Sequence, residues 1–458
     1  MAARKSYDDA GCSAKSSPGV TPAMTPLSTL SSNATSVDNQ DLMDQSQSPA
    51  DGPVEPIAII GMSCRLPGTA TDISSLWNML VSGGSAWTPG PGKRFNMSAF
   101  CDPTGTKPGT TNVGGGHWLK EDVAAFDAAF FGINPVEAVA MDPQHRLLLE
   151  VAYEAFENAG LSTEFLSGSN TGVFVGQWSS DYHEIQIRDT ERNPQYLITG
   201  TGPALTSGRI SYQFNLKGPC FTVDTGCSSS TVALHQAILS LRAGETAQCF
   251  VGGANLVLDP QRLSYQSRLK MLSNEGRSFP FDSRATGYGR GEGFTGVVLK
   301  PLSSALKDGD QIRAVIRNSV LNQDGRTAGI TAPNESAQRE AILRAYRQAK
   351  LPLYADYVEA HGTGTKAGDP VEAGAIASVL GRNRERGQEL PIGSIKGNIG
   401  HTEGSAGLAG LIKAVLMLEN GIIPPQVNYS EPNPEIHLDH LKLRVSNNLI
   451  PPLFMPGR

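Results

Sequence analysis

Val223-Asp224-Thr225-Gly226-Cys227-Ser228-Ser229-Ser230 stands between two segments of opposite character. Before it, Phe221, Thr222 and Val223 read as the end of a strand. After it, Thr231-Val232-Ala233-Leu234 through Ile238-Leu239 reads as a helix with few polar residues. A strand–tight turn–helix junction lifts a side chain out of the backbone and aims the N-terminal amides of the helix at it. Those dipoles favour the thiolate, the reactive form of cysteine. Gly226, Ser228 and Ser229 are small enough to admit a substrate backbone. A lone cysteine is more often buried and inert; the junction marks this one as a nucleophile.

The chain of 458 residues can hold two or three ordinary domains, or one large duplicated α/β unit. Its 50 glycines imply many tight turns and close backbone contacts. A net charge of −6 and the lack of a dense basic run argue against nucleic-acid binding. The six cysteines (12, 64, 101, 220, 227 and 249) are irregularly spaced with no C-x-x-C, which fits free thiols in a reducing compartment. No apolar h-region opens the sequence, and no apolar run approaches the roughly 18–20 residues that span a bilayer. These features predict a soluble cytoplasmic protein without membrane contact.

Residues 1–54 are rich in Ser, Thr, Asp, Gln and Pro and nearly free of aromatics, the composition of a disordered leader. Order is expected from the apolar strand Ile57-Ala58-Ile59-Ile60-Gly61. Next come a helix over 135–160, a strand over 171–176, a helix over 205–214, a strand over 220–224, the helix from Cys227 and a strand over 249–255. Further strands are expected over 296–300, 312–319, 357–360 and 392–395, and helices over 336–348, 370–380 and 405–419. This alternation predicts β-α-β units in a mostly parallel, helix-covered sheet. The expected division is 55–295 for a half that carries the cysteine and 296–458 for a second half.

Three motifs follow downstream. One is Glu359-Ala360-His361-Gly362-Thr363-Gly364-Thr365, with Gly368-Asp369-Pro370-Val371-Glu372 after it. Another is Lys396-Gly397-Asn398-Ile399-Gly400-His401-Thr402-Glu403-Gly404. The third is Phe281-Asp282-Ser283-Arg284-Ala285, followed by Gly287-Tyr288-Gly289-Arg290-Gly291-Glu292-Gly293. His361 and His401 each follow an expected strand and sit in a glycine-rich turn, where a side chain is presented to a cleft. No cluster has the spacing of a metal site, so no metal is expected.

The elbow and the two histidine motifs, in this order and spacing, resemble the β-ketoacyl synthase (ketosynthase) family of thiolase-like fold. Within it the look is closest to the ketosynthase domain of fungal reducing multidomain polyketide synthases. Gly61-Met62-Ser63-Cys64-Arg65-Leu66-Pro67-Gly68, Met141-Asp142-Pro143-Gln144-His145-Arg146 and Asn322-Gln323-Asp324-Gly325-Arg326-Thr327 add to the resemblance, which runs from about residue 55 to the C-terminus. It implies a duplicated, five-layered α/β/α/β/α fold and a Cys227–His361–His401 triad. Cys227 would take an acyl group from a carrier-protein thioester. The imidazoles would hydrogen-bond the thioester oxygen on which enolate charge develops when a malonyl-type extender loses CO2. The reaction is a decarboxylative Claisen condensation in secondary-metabolite biosynthesis.

Lys396 matches the family's fixed lysine and Glu372 the glutamate that pairs with it. Thr363 and Thr365 match hydroxyls that contact the pantetheine arm. Arg290 and Glu292 are expected to hold a loop near the site, and Cys64 and Cys220 to be ordinary buried thiols. No directly bound cofactor is implied, because substrates ride on the 4'-phosphopantetheine of an acyl carrier protein. The implied partners are that carrier, an acyltransferase domain and a second copy of the chain, docked beside 220–223. A thiolase acting on coenzyme A esters would need a second cysteine where His401 stands.

Gly226 replaces the family's usual alanine, and Thr286 a common aspartate. The family's glycine-rich N-S-F-G-F-G-G-T-N-A-H turn, which supplies an oxyanion-hole amide, has no counterpart here. That departure predicts missing C-terminal strands, in a domain excised from a larger synthase or in a truncated gene product. It also predicts weak condensation by these residues alone, since one lost oxyanion donor costs on the order of 10²–10³ in rate. The competing expectation is an inactive fragment that only dimerises or binds carrier protein.

Overall fold

The structure, a computed structural model, describes residues 54–191, 194–382 and 384–451. The expected leader lies, but for Val54, outside the described residues. The strands are β1 (Ile57–Arg65), β2 (Trp87–Thr88), β3 (Gly116–His117), β4 (Thr171–Gln177), β5 (Cys220–Val223), β6 (Gln248–Asn255), β7 (Gly293–Pro301), β8 (Ala314–Ile316), β9 (Val358–Glu359), β10 (Leu390–Gly393) and β11 (Leu443–Arg444). β2 and β3 form a small antiparallel pair.

The main sheet runs β5-β4-β6-β7-β1-β8. Its strands β4 and β6 are buried along their whole length, and so read as near-continuous apolar and small residues. β4 pairs in parallel with β5 and β6, while β6–β7, β7–β1 and β1–β8 are antiparallel. The expected mostly parallel sheet is therefore mixed. Strand–helix alternation governs direction only where a helix carries the crossover, and β6 returns to β7 through a long, largely irregular connection with one short helix, Gln261–Arg268. The boundary expected at 295/296 falls inside β7, which is hydrogen-bonded on both sides in the middle of this sheet.

One face of the main sheet is covered by the helices Pro143–Asn158 and Ala204–Gln213, and the other by Ser229–Arg242 and Ala406–Asn420. A second, parallel sheet, β11-β10-β9, lies beyond the helix Ala406–Asn420. Its core joins the helices Glu335–Gln348 and Gly368–Ile376. The five layers of the expectation are thus present. The second sheet holds three short strands among the described residues.

The helix expected over 135–160 is two, Pro135–Ala140 and Pro143–Asn158. Pro143 forces the preceding Asp142 into an extended conformation and occupies the first turn of the new helix, where its missing N–H costs nothing. The Asp142 side chain caps that helix through the Gln144 amide. Gly176 of β4 fixes the nucleophile's height above the sheet. A Cβ there would stand 2.3 Å from the Ser230 nitrogen, so only glycine lets the following helix start so close. No helix among the described residues is long and apolar enough to cross a membrane.

Candidate active site

β5 ends at Val223, and the chain turns through a 3-10 segment, Gly226–Ser228, before the helix Ser229–Arg242 begins. The turn satisfies itself with its own small polar side chains. Ser229 Oγ accepts from the Thr225 amide at 2.9 Å and donates to the Gly226 carbonyl at 2.7 Å. Asp224 accepts from the Gly226 amide at 2.9 Å. Gly226 has φ +63°, in the left-handed region, so glycine tightens this elbow where alanine would strain it.

Cys227 projects half-buried into a cavity of about 850 Å³. Its wall includes Thr225, Asp324, Ile330, Glu359, His361 and Lys396. The sulfur and a ring nitrogen from each of His361 and His401 all lie within 4.8 Å of one another. The two imidazoles meet edge to face, 5.4 Å between centroids and 87° between planes. The nucleophile elbow and both histidine motifs, 134 to 174 residues apart in sequence (361 − 227 and 401 − 227), therefore converge as expected.

His361 follows β9 in a turn gripped from two sides. Glu372 accepts from the amides of His361 at 2.6 Å and Gly362 at 2.8 Å. The His361 carbonyl accepts from Lys396 Nζ at 2.7 Å and from Ser394 Oγ at 3.1 Å. The ion pair expected between Lys396 and Glu372 is absent among the described residues, because both heads are spent on this one backbone turn. Burial drives the Lys396 ammonium below its ordinary range, partly offset by Glu359 and Glu372. Burial raises Glu372. Thr363 and Thr365 face each other at 3.2 Å, and Thr365 Oγ1 also accepts from the Gly368 amide at 3.2 Å.

His401 is fully buried, and its Nδ1 accepts from the Glu403 amide at 3.0 Å. That bond places the imidazole hydrogen on Nε2, which has no hydrogen-bond partner among the described residues, stands 3.9 Å from Glu403 Oε2 and faces the triad. Burial and then Lys396 push His401 well below the ordinary imidazole range; desolvation of the ring and Lys396 push His361 the same way, although that residue is exposed overall. By distance alone the three side chains could surround a cation. His401, however, presents a proton there instead of a lone pair, which suits an oxygen acceptor and not a metal.

Sequence reading gave Glu403 no role. The structure puts its carboxylate against the nucleophile: Cys227 Sγ donates to Oε2 at 3.4 Å. Arg290, fully buried, donates to Oε1 at 2.9 Å and lies over the Trp178 ring. Arg290 and Glu292, expected to hold a loop near the site, do so through different partners: Glu292 pairs with Arg94 and accepts from the Leu119 and Val257 amides, and Arg290 pairs with Glu403. An acid two residues after the second histidine of a glycine-rich turn was the available clue. Desolvation, then the Glu403 charge, push the Cys227 thiol far up, against Lys396 and Arg290. The carboxylate thus opposes the thiolate that the helix dipoles favour. Cys64 and Cys249 are buried as inert thiols, with Cys249 pushed up to about 12. Cys220 is exposed, not buried, because β5 has a neighbour on one side only.

A mixed sheet that ends in a cysteine elbow, packed through a helical layer on a second sheet that carries two histidines, defines a thiolase-like condensing fold. The chain belongs to the β-ketoacyl synthase family: residues 54–305 match the family's N-terminal domain and 313–430 its C-terminal domain. It is 70% identical over 424 residues to the highly reducing polyketide synthase easB of Emericella nidulans, covering 93% of this chain and 17% of that protein. Against the highly reducing polyketide synthase cm3B of Cordyceps militaris the identity is 72% over 397 residues, with 87% and 16% covered. The chain thus spans about one sixth of the length of these relatives. Among solved structures, the ketosynthase from module 6 of the bacillaene synthase of Bacillus subtilis 168 superposes with a TM-score of 0.81 at 36% identity, covering 88% of this chain and 68% of that one.

Proposed function

We propose that the chain is a polyketide-type ketosynthase that condenses an acyl-enzyme with a malonyl-type extender on acyl carrier protein. One observation carries the reading: Cys227 Sγ and the ring nitrogens of His361 and His401 within 4.8 Å, with the His401 hydrogen held on Nε2. Cys227 accepts the acyl group as a thioester. In the second half-reaction the malonyl carboxylate leaves as CO2, and its bonding pair forms an enolate. Neutral imidazole N–H groups of His401 and His361 hydrogen-bond the enolate oxygen as charge develops there. The enolate carbon then attacks the acyl carbonyl and releases the Cys227 sulfur. No observation favours a site that binds without reacting.

The same reading takes substrates from the phosphopantetheine of an acyl carrier protein charged by an acyltransferase domain, with Thr363 and Thr365 near the pantetheine arm. It places a second copy against β5, whose exposed Cys220 and Phe221 supply an unpaired edge. The test is to load the protein from an acyl-carrier thioester and map the adduct by mass spectrometry. Modification of Cys227 is expected. An adduct on Cys64, Cys220 or Cys249 with Cys227 untouched would sink the assignment.

A further inference from the structure

We propose that the Glu403 carboxylate is the proton acceptor for the Cys227 thiol during acyl loading; the proposal rests on the ketosynthase reading above. Three observations support it. Cys227 Sγ points its hydrogen at Glu403 Oε2. Glu403 is 2% exposed, yet it is anchored by Arg290 through the other oxygen, which keeps the acceptor oxygen aimed at sulfur. Its backbone sits at φ +44°, a strained value for a non-glycine residue, and such strain concentrates at functional sites.

The other bases near the sulfur are unsuited to the task. His401 has Nδ1 occupied by the Glu403 amide and a hydrogen on Nε2, so it offers no lone pair to the thiol. His361 has its ring pushed below the ordinary imidazole range by desolvation, then by Lys396 and His401, which weakens it as a base, and no hydrogen bond joins it to the sulfur among the described residues, whereas Glu403 has one. Lys396 donates to the His361 carbonyl, and Arg290 is a permanent cation. These four groups, Glu403 and the Tyr288 phenol are the nearest titratable or charged neighbours of the thiol, and Asp324 and Glu359 line the same cavity.

The step balances as follows. As sulfur bonds to the thioester carbon, its proton passes to Glu403 Oε2. Collapse of the tetrahedral intermediate breaks the bond to the pantetheine sulfur. The leaving thiolate then recovers the proton from Glu403. One residue would thus serve both half-reactions, its amide setting the His401 tautomer and its carboxylate moving the Cys227 proton.

Glu403→Gln separates this role from a structural one, because its two consequences run in opposite directions. Removing a negative charge beside the thiol lowers its pKa, so alkylation of Cys227 by iodoacetamide at about pH 7 should speed up roughly tenfold. Removing the base should slow Cys227 loading from a butyryl-pantetheine thioester roughly 10²-fold. Loading that is unchanged, or that rises or falls together with alkylation, would overturn the proposal. If the variant does not fold, the unsubstituted chain still decides. Its loading should be flat across about pH 6–8 while alkylation climbs about tenfold per pH unit; parallel slopes would overturn the role of Glu403. No loading at Cys227 in the unsubstituted chain would overturn the ketosynthase reading itself.

Discussion

β5, which feeds Cys227, is a four-residue edge strand bonded to β4, itself buried along seven residues and hydrogen-bonded on both edges, whereas β9, which feeds His361, is two residues long and among the described residues bonded to β10, a strand of four residues. Both feeding strands are edges, but the one before Cys227 leans on a deep ladder and the one before His361 on a shallow one. Beside β9, an opening of about 240 Å³ is lined by Tyr357, Ala414, Met417, Leu418 and Ile423. Side chains brace this short strand. Glu359 accepts from the Ile395 amide at 2.6 Å, from the Tyr357 hydroxyl at 2.6 Å and from buried Lys413 at 2.7 Å. With Glu372 and Lys396 on the following turn, the histidine half is held by buried polar grips whose loss leaves orphaned donors and charges.

The largest expected effect on stability lies in the deep sheet. Phe174→Ala removes a buried ring that packs edge to face on Phe221, and should cost about 3–5 kcal/mol in denaturant unfolding, with the activity of the folded fraction retained. A cost under about 1 kcal/mol would show that the main sheet is not the stability reserve. Glu372→Ala should do the reverse. It takes the acceptor from the part-buried Gly362 amide, at roughly 1–3 kcal/mol, and from the more exposed His361 amide, and should cut condensation by on the order of 10² while Cys227 still loads. Equal loss of loading would mean that the two halves are not separable.

Hydrogen exchange sharpens the contrast at smaller scale. The amides of 358–359 should exchange well before those of 173–175, and equal protection would break the comparison. The smallest effect is a pH slope within the deep half. Burial, reinforced by Glu154 and Glu121, raises Glu150 from 4.5 to about 7. The native state then binds more protons than the unfolded one, so this group's contribution falls as pH rises from about 4.5 to 7. Glu150→Gln should flatten that part of the stability profile, and an unaltered slope would remove Glu150 from the account.

The fold and the meeting of Cys227, His361 and His401 were legible because their determinants are local. The apolar run at 57–60, the small residues around Cys227 and the glycines flanking His361 and His401 each announce a strand end or a turn. Strand direction was not legible, since nothing in the 256–292 stretch says that β7 returns antiparallel. Nor was the choice of ion-pair partners. Arg290, Glu292, Glu403 and Arg94 offer alternative pairings in sequence, and only the tertiary arrangement puts Arg290 beside Glu403 and Arg94 beside Glu292. The resting state of Cys227 was hidden for the same reason, because the carboxylate that suppresses its ionisation arrives from 176 residues away.

The account's central claim is that Cys227 carries the acyl group and that the two neutral imidazoles serve the enolate. His401→Ala tests it most directly, followed by two readouts on one sample: acyl loading by mass spectrometry and release of labelled CO2 from a malonyl-carrier thioester. The account predicts loading within a few-fold of the unsubstituted chain and CO2 release reduced by about two to three orders of magnitude. Loss of loading in step with CO2 release, in a variant that remains folded, would contradict it.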